Sequence, residues 1–375
     1  MHGFSPAATE RPLAVFWTHD LDAPSTHHRL MPILRALGHG GWRVHIDRLP
    51  EGRPFRRIVE RRETLGDASL LILGQITLSP GEGWLLRALG RRVLLDLDHA
   101  VHLGQDETPI GGMLRRRVQR LAFRHTCAIA DHIVVSNPAL AEAVPADPSR
   151  VRVLPTAVSV PPYRALAEIR RQPRTLVWSG RSDDLHALET LRPVLAELAR
   201  TYPDLVLRVV GERAPDWPEV RIEHVADPAA QDIATLAAAG IGLLPRSDDP
   251  WSRRRPGVEL LRLMAAGLPT VASPVGIHQD ILDHGVNGYL ASDPRDWTTA
   301  LRRLLDDPEH ALTVGRAGRA RVGQDFARAR YVSRTLDVIS ALLLDESPRE
   351  STWTSSRPMI HPAPWASESP ILASR

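Results

Sequence analysis

Lysine is missing altogether from this chain of 375 residues, so all 47 positions counted as Lys+Arg are arginine. Every fixed cation is therefore a planar, permanently charged guanidinium. Any phosphate-binding role that a lysine fills elsewhere falls to arginine here. The formal charge is only +3, although the sequence pI is about 9.6. With no ammonium group to lose its proton, the net charge stays positive until tyrosine ionises. The high pI is thus no footprint of nucleic-acid binding, and no nucleic-acid partner is expected.

Cysteine is nearly absent too. Cys127 stands alone, which excludes an intrachain disulfide and fits a reducing, cytoplasmic setting. No apolar run approaches the roughly 18 residues of a membrane span, and no N-terminal signal pattern is visible. What is there is ordinary for a globular protein, with 43% hydrophobic and 24% charged residues. The length suits two domains, each with its own core.

Strand and helix patterns alternate along the chain. "LAVFWTH" (13–19), "RVHID" (43–47), "SLLILG", "RVLLDLD" (92–98), "HIVVS" (132–136) and "RVRVLP" (150–155) read as strands. Helical patterns lie between them, including a long one over 110–130. The stretch 156–173 carries three prolines and no clear core pattern. Alternation restarts with "TLVWSG" (175–180), a helix over 186–203, "LVLRVVG" (205–211), "VRIEHV" (220–225), a helix at 228–239 and "IGLLP" (241–245). A helix at 257–267, "TVAS" (270–273), a helix near 279–284, two helices over 295–326 and a last one to about Leu344 follow. Short apolar strands joined by helices imply parallel sheets covered on both faces. The expected fold is α/β with two Rossmann-like domains. They span residues 1–160 and 174–326, joined by a linker at 161–173 and followed by a helix at 327–346. The Ser- and Pro-rich tail 347–375 reads as disordered.

Chemistry concentrates in "PWSRRRPGVELLRLMAAGLPTVASPVG", Pro250 to Gly276. Pro256 suits a first helical turn, so the helix is expected to begin near 256–257. Val258, Leu261, Met264 and Ala265 make its apolar stripe, and Gly267 closes it. Arg253, Arg254 and Arg255 precede a helix N-terminus whose dipole favours anions, an arrangement suited to a diphosphate. The plainer alternative is a solvated arginine loop with a surface Glu259–Arg262 pair.

The segment from Asp249 through "HGVNGYL" resembles the donor-site block of retaining GT-B glycosyltransferases of family 4. "TLVWSG" with "LVLRVVG", "ADHIVVSNPALAE" with "RVLPTAV", and "VGRAGRARV" (314–322) resemble further blocks in the same order, over some 300 residues. The resemblance implies an N-terminal acceptor domain and a C-terminal nucleotide-sugar donor domain. It also implies sugar transfer with retention, without a metal or other cofactor, from a nucleoside-diphosphate sugar to a hydroxyl. By it, Arg255, Arg254 and Arg181 are the catalytic cations at the phosphates, and Gly180, Glu259, Arg262 and Gly276 bind the donor. At Gly276 the missing Cβ is expected to let the donor approach.

The motif departs from the family in two ways. Many members carry two glutamates eight residues apart, and those positions are Arg254 and Arg262 here. Arginine donates hydrogen bonds where a carboxylate accepts them. In a branch that uses two lysines instead, Arg255 takes the first lysine position and Glu259 reverses the charge of the second.

"LLDLDHAVH" (94–102) ends a strand with Asp96, Asp98, His99 and His102. A strand splits such neighbours between two faces, which argues against a shared metal. Asp98 and His99 are expected to touch sugar or acceptor. In "DAPSTHHRL" (22–30), Ser25 and Arg29, with His28, are acceptor candidates, and Ser25 or Thr26 is equally suited to cap a helix. "RPFRRIVERR" (53–62) and "MLRRRVQRLAFR" (113–124) suit either an anionic membrane, if the acceptor is lipid-linked, or solvated helix faces. Acceptors considered are a glycan, a lipid-linked sugar or a small metabolite. The rival readings are a GT-B-like scaffold without donor chemistry and a sugar-nucleotide epimerase, for which no carboxylates are in evidence.

Overall fold

The computed structural model describes residues 11–49, 58–101, 111–166, 169–226 and 233–344, with side chains from Arg116 onward in the helix Gly111–Ile129. The expected helix at 228–239 is described only over Ile233–Ala237, and His102, residues 53–57 and the tail 347–375 lie outside the described residues.

Two six-stranded sheets form, each wholly parallel, as the alternation predicted. The first contains β1 (Leu13–Thr18), β2 (Arg43–Arg48), β3 (Ala68–Gly74), β4 (Arg92–Leu97), β5 (His132–Val135) and β6 (Val151–Val153), in the order β2-β1-β3-β4-β5-β6. The second contains β7 (Gln172–Ser179), β8 (Val206–Val210), β9 (Arg221–Val225), β10 (Ala239–Leu244), β11 (Thr270–Ala272) and β12 (Tyr289–Leu290), in the order β12-β11-β10-β7-β8-β9. Strand order reverses between β1 and β3 and again between β7 and β10. Doubly wound sheets bind ligands at such points, beyond the carboxyl ends of the strands.

Alternate side chains of a central strand feed opposite cores. In β1, Leu13, Val15 and Trp17 enter one cluster, and Ala14 and Phe16 the other. In β7, Leu176 and Trp178 oppose Val177 in the same way. All six residues of β1 are buried, which explains a continuous apolar run instead of alternation.

Three expectations change. The stretch read as a coreless linker buries Val158, Val160 and Tyr163 in the second sheet's core, around a short helix Pro161–Arg164. Three apolar residues over six positions are too few to show a period. The helix read over 186–203 is two, Leu185–Glu189 and Arg192–Thr201, because Pro193 is tolerated in a first turn and not in an interior. The doner-motif helix begins at Val258 instead of 256–257, since Gly257 sits in the left-handed region (φ 69°) and breaks the turn after Pro256.

The last helix, Arg328–Leu344, returns to the first sheet and buries Tyr331, Val338, Ile339 and Leu342 in its core. Val158 and Ala327 pair as a parallel bridge. The two crossings between the halves thus run side by side, held by Val158 N–H to Phe326 O (3.0 Å) and Arg328 N–H to Val158 O (3.0 Å).

Candidate active site

The second sheet's crevice lies between the loops that leave β7 and β10. Gly180 follows β7, and a Cβ there would meet the Trp178 ring at 2.5 Å. This close approach alone requires glycine. Arg181 comes next and is largely exposed (73%), 3.9 Å from Asp183. The chain then turns through Ser182–Asp184. From the other side, Arg246 follows the end of β10, its N–H bonded to Ser273 Oγ at 2.9 Å.

Four charges meet there. Arg246 Nη1 donates to Asp184 Oδ1 at 2.9 Å, and Arg255 Nη1 donates to the same oxygen at 2.6 Å. Arg255 Nη2 donates to Glu259 Oε1 at 2.7 Å, with Arg246 Nη2 3.8 Å from that atom. Burial pushes the Glu259 carboxyl up, but Arg246 and Arg255 outweigh it and hold it down at about 2. Beside them His278 is buried with Nδ1 on Ser273 O (3.0 Å). Burial, aided by the Arg246 guanidinium, lowers its pKa to about 4 and keeps the ring neutral.

The reversed charge at Glu259 is therefore answered inside the protein. Arg246 and Asp184 complete a balanced group of two cations and two anions that motif reading missed. The available signal was a charged residue directly after the apolar run of β10, at a strand end. Its importance depends on β10 lying next to β7, which only the sheet order reveals.

The first sheet contributes from β4 and β5. Asp98 is buried just past β4, and its carboxylate is hydrogen-bonded to His99 Nδ1. Ser136 Oγ donates to Asp98 O at 2.6 Å. The His99 ring meets Trp251 edge-on, with centroids 5.4 Å apart, and Trp251 packs on the first sheet's core. Asn137 Nδ2 donates to Arg255 O at 3.1 Å, while its Oδ1 accepts from Leu140 N and caps the helix Pro138–Ala143. Asn137 was not among the expected site residues, although it lies in the block "ADHIVVSNPALAE".

His28 lies close enough to Arg262 and Asp98 to feel both charges. Burial first, then Arg328 and Arg262, push its pKa down to about 4, against a smaller upward pull from Asp98. Arg262 is hydrogen-bonded to Tyr163, and Arg254 Nη1 donates to Pro250 O at 2.7 Å. The structure thus gathers Asp98, His99, Arg255, Glu259 and Arg262 around the junction of the halves. Arg181 stands apart, on the surface.

One expectation is corrected. Arg29 is fully buried and does not face an acceptor. Its Nη2 donates to Asp96 Oδ1 at 2.6 Å and its Nη1 to Leu154 O and Thr156 Oγ1, both at 2.9 Å. The Tyr331 ring lies 5.0 Å away. Gly276 sits in the left-handed region (φ 55°), and a Cβ there would lie 2.5 Å from Arg253 O. Its small size lets the arginine loop pack. Ser25 makes no capping bond at the start of the π-helical turn Thr26–Leu30; Thr26 Oγ1 instead donates to Asp20 O at 2.7 Å. Among the described residues, no three His, Cys, Asp or Glu side chains are grouped to hold a metal.

Two doubly wound parallel sheets meeting at a shared site make this the GT-B architecture. Residues 173–307 match the family model described as "Glycosyl transferases group 1". Among curated proteins, a D-inositol 3-phosphate glycosyltransferase of Corynebacterium kroppenstedtii is 25% identical over 276 residues, covering 65% of this chain and 61% of that protein. A glycogen synthase of Mycobacterium tuberculosis is 25% identical over 264 residues, covering 65% and 62%. The chain thus spans about three-fifths of the length of these relatives. Among solved structures, sucrose-phosphate synthase from Thermosynechococcus elongatus superposes with a TM-score of 0.66 at 19% identity, over 90% of this chain and 100% of that one. HepE from Anabaena, in complex with UDP-glucose, gives 0.62 at 12% identity, over 88% and 99%. The resemblance to GT-B glycosyltransferases drawn from the sequence rests on these matches as well as on its motifs.

Proposed function

We propose that the protein is a retaining, family 4-type glycosyltransferase that moves a sugar from a nucleoside-diphosphate sugar to an acceptor hydroxyl. The observation that carries the reading is the pair of arginines, Arg246 and Arg255, at the strand-order reversal of the domain that matches the glycosyl transferases group 1 model. Breaking a glycosyl–phosphate bond gathers negative charge on the leaving diphosphate. Fixed guanidinium groups in a partly closed cleft stabilise that charge in the transition state, so the chemistry asks for no metal. Arg254 adds a cation at the mouth, Glu259 and Arg262 flank the nucleotide, and Asp98 and His99 face the transferred sugar. UDP and UDP-glucose in complexes of one structural neighbour make a uridine diphosphate the donor class to test first.

The acceptor is a glycan, a lipid-linked sugar or a small metabolite, met in the cytoplasm or at the inner face of a membrane. The membrane alternative rests on the helix Gly111–Ile129, which has no acidic residue. Val118 (58% exposed) and Leu121 (63%) stand among Arg117, Arg120 and Arg124 on its outer face. A cavity of about 550 Å³ opens beside it over Phe123, Ala143 and Pro145. No helix among the described residues is long and apolar enough to cross a membrane.

A second reading, a GT-B-like scaffold without transfer, is favoured by the charge balance of Asp184 and Glu259 against Arg246 and Arg255. Thermal-shift measurements with UDP, GDP and ADP and their glucose esters separate the two. A donor at 100 times its Kd adds about 2.7 kcal/mol of stability. No shift with any nucleotide, in a folded sample, overturns the transferase reading.

A further inference from the structure

We propose that Asp184 is an internal counter-ion of the donor crevice, holding Arg246 and Arg255 where a diphosphate binds, and that donor binding exchanges one anion for the other. This rests on the donor reading above and assigns a role to a residue outside the motif.

The argument starts from topology. Asp184 belongs to the loop after β7 and Arg246 to the end of β10, the two neighbours between which strand order reverses. Their ion pair therefore bridges the mouth of the crevice, on the spot where a doubly wound sheet receives its ligand. A diphosphate that reaches these guanidinium groups competes with the Asp184 carboxylate for them.

The geometry of the bridge matches an anion that it stands in for. One oxygen, Asp184 Oδ1, accepts from two guanidinium groups at 2.9 and 2.6 Å. A phosphate oxygen accepts from several donors in the same way, and the planar fork of arginine suits it. Each arginine spends a single N–H on Asp184, and Arg255 spends a second on Glu259.

The two carboxylates of the group are not equivalent. Of the two arginines, Glu259 on the helix Val258–Ala265 accepts a hydrogen bond from Arg255 alone, one turn away, whereas Asp184 accepts from both. Asp184 ends the three-residue turn Ser182–Asp184. It can rotate out to water when its place is taken. Glu259 then remains as the positioning residue that keeps both guanidinium groups aimed at the crevice.

Titration calorimetry of the full chain with UDP and with inorganic pyrophosphate tests the exchange. Asp184→Asn keeps the shape and removes the charge. It should tighten pyrophosphate and UDP by about tenfold, the size of one charge-assisted hydrogen bond no longer traded away. Asp184→Ser gives a second variant if the first fails to melt cooperatively. Glu259→Gln should not tighten either ligand. Unchanged or weaker binding in the Asp184 variants overturns the counter-ion role, even if wild type binds UDP and the donor reading stands. Tighter pyrophosphate without any nucleotide binding keeps the counter-ion and removes the nucleotide-sugar donor. No binding of either ligand to wild type or variants overturns both.

Discussion

Arg29 shows how a single buried cation is made tolerable. Burial disfavours the charged forms of both partners: it raises Asp96 and opposes the charge on Arg29. The carboxylate then pulls Arg29 above its ordinary value, and hydrogen bonds to Asp96, Leu154 and Thr156 engage all three of its nitrogens. Removing one member leaves the other unpaired in the interior, which costs about 3–5 kcal/mol. Asp96→Ala should therefore lower the unfolding free energy by about that amount in urea. A joint Arg29→Met, Asp96→Leu replacement should cost far less, because it removes both charges and keeps the volume. Equal losses in the two variants would show that packing, and not the unpaired cation, sets the cost.

At the scale of one element, the helix Val258–Ala265 is closed off more firmly than a glycine cap alone provides. Gly267 takes the left-handed turn after it (φ 73°), the conformation expected of a glycine just past a helix. Arg171 donates to Gly267 O and Ala266 O, and Arg319 to Ala265 O and Ala266 O, so two cations sit on the negative end of the dipole. Arg319 reaches this end because its helix, Pro308–Asp325, crosses at Gly315, where a Cβ would lie 2.1 Å from Gly267 O. The obstacle is backbone, which cannot swing aside. Gly315→Ala should cost about 1–3 kcal/mol by forcing the two helices apart. A melting temperature unchanged from wild type would refute the crossing. Gly323→Ala, on the same helix with open space around its Cα, serves as the control.

On the whole-molecule scale, the helix Gly111–Ile129, with Val118 and Leu121 exposed, lies beside a helix that carries an exposed aromatic. Helix Pro80–Ala88 packs against it through Gly83, which faces His125 and Ile129, and carries Trp84 at 70% exposure. Arginines around apolar tips are the composition of a surface helix on anionic lipid. The protein should sediment with vesicles containing about 30% phosphatidylglycerol and not with neutral phosphatidylcholine, losing the interaction as salt rises. Val118→Glu with Leu121→Glu should abolish it. Equal recovery of wild type and variant with the vesicles would remove the membrane reading and leave a solvated face.

The fold was legible because its signals are local. Apolar runs of strand length, helical spacing between them and glycines at element ends repeat through the chain, and each follows from the geometry of a few consecutive residues. The site was legible only in outline. Arg255 and Glu259, one turn apart, were visible as a motif, and their mutual ion pair follows from that spacing. Asp184 was not visible as their partner, because it stands 71 residues from Arg255 and 62 from Arg246. Arg29 looked like any other loop arginine until Asp96, 67 residues on, and Tyr331 closed over it.

By itself, the sequence determined that this is a tandem parallel α/β protein, that any fixed side-chain cation for a phosphate is an arginine, and where the helix Val258–Ala265 stops. Backbone propensity, periodicity and composition act within a few residues, so the chain carries them in plain order. The tertiary structure alone decided which arginines are already neutralised and which stand near the crevice. Charge pairing depends on which loops the sheet order brings together, and strand order is set by packing over the whole sheet. That is why a reversed charge at Glu259 reads as a defect in the motif and as one member of a balanced group in the folded protein.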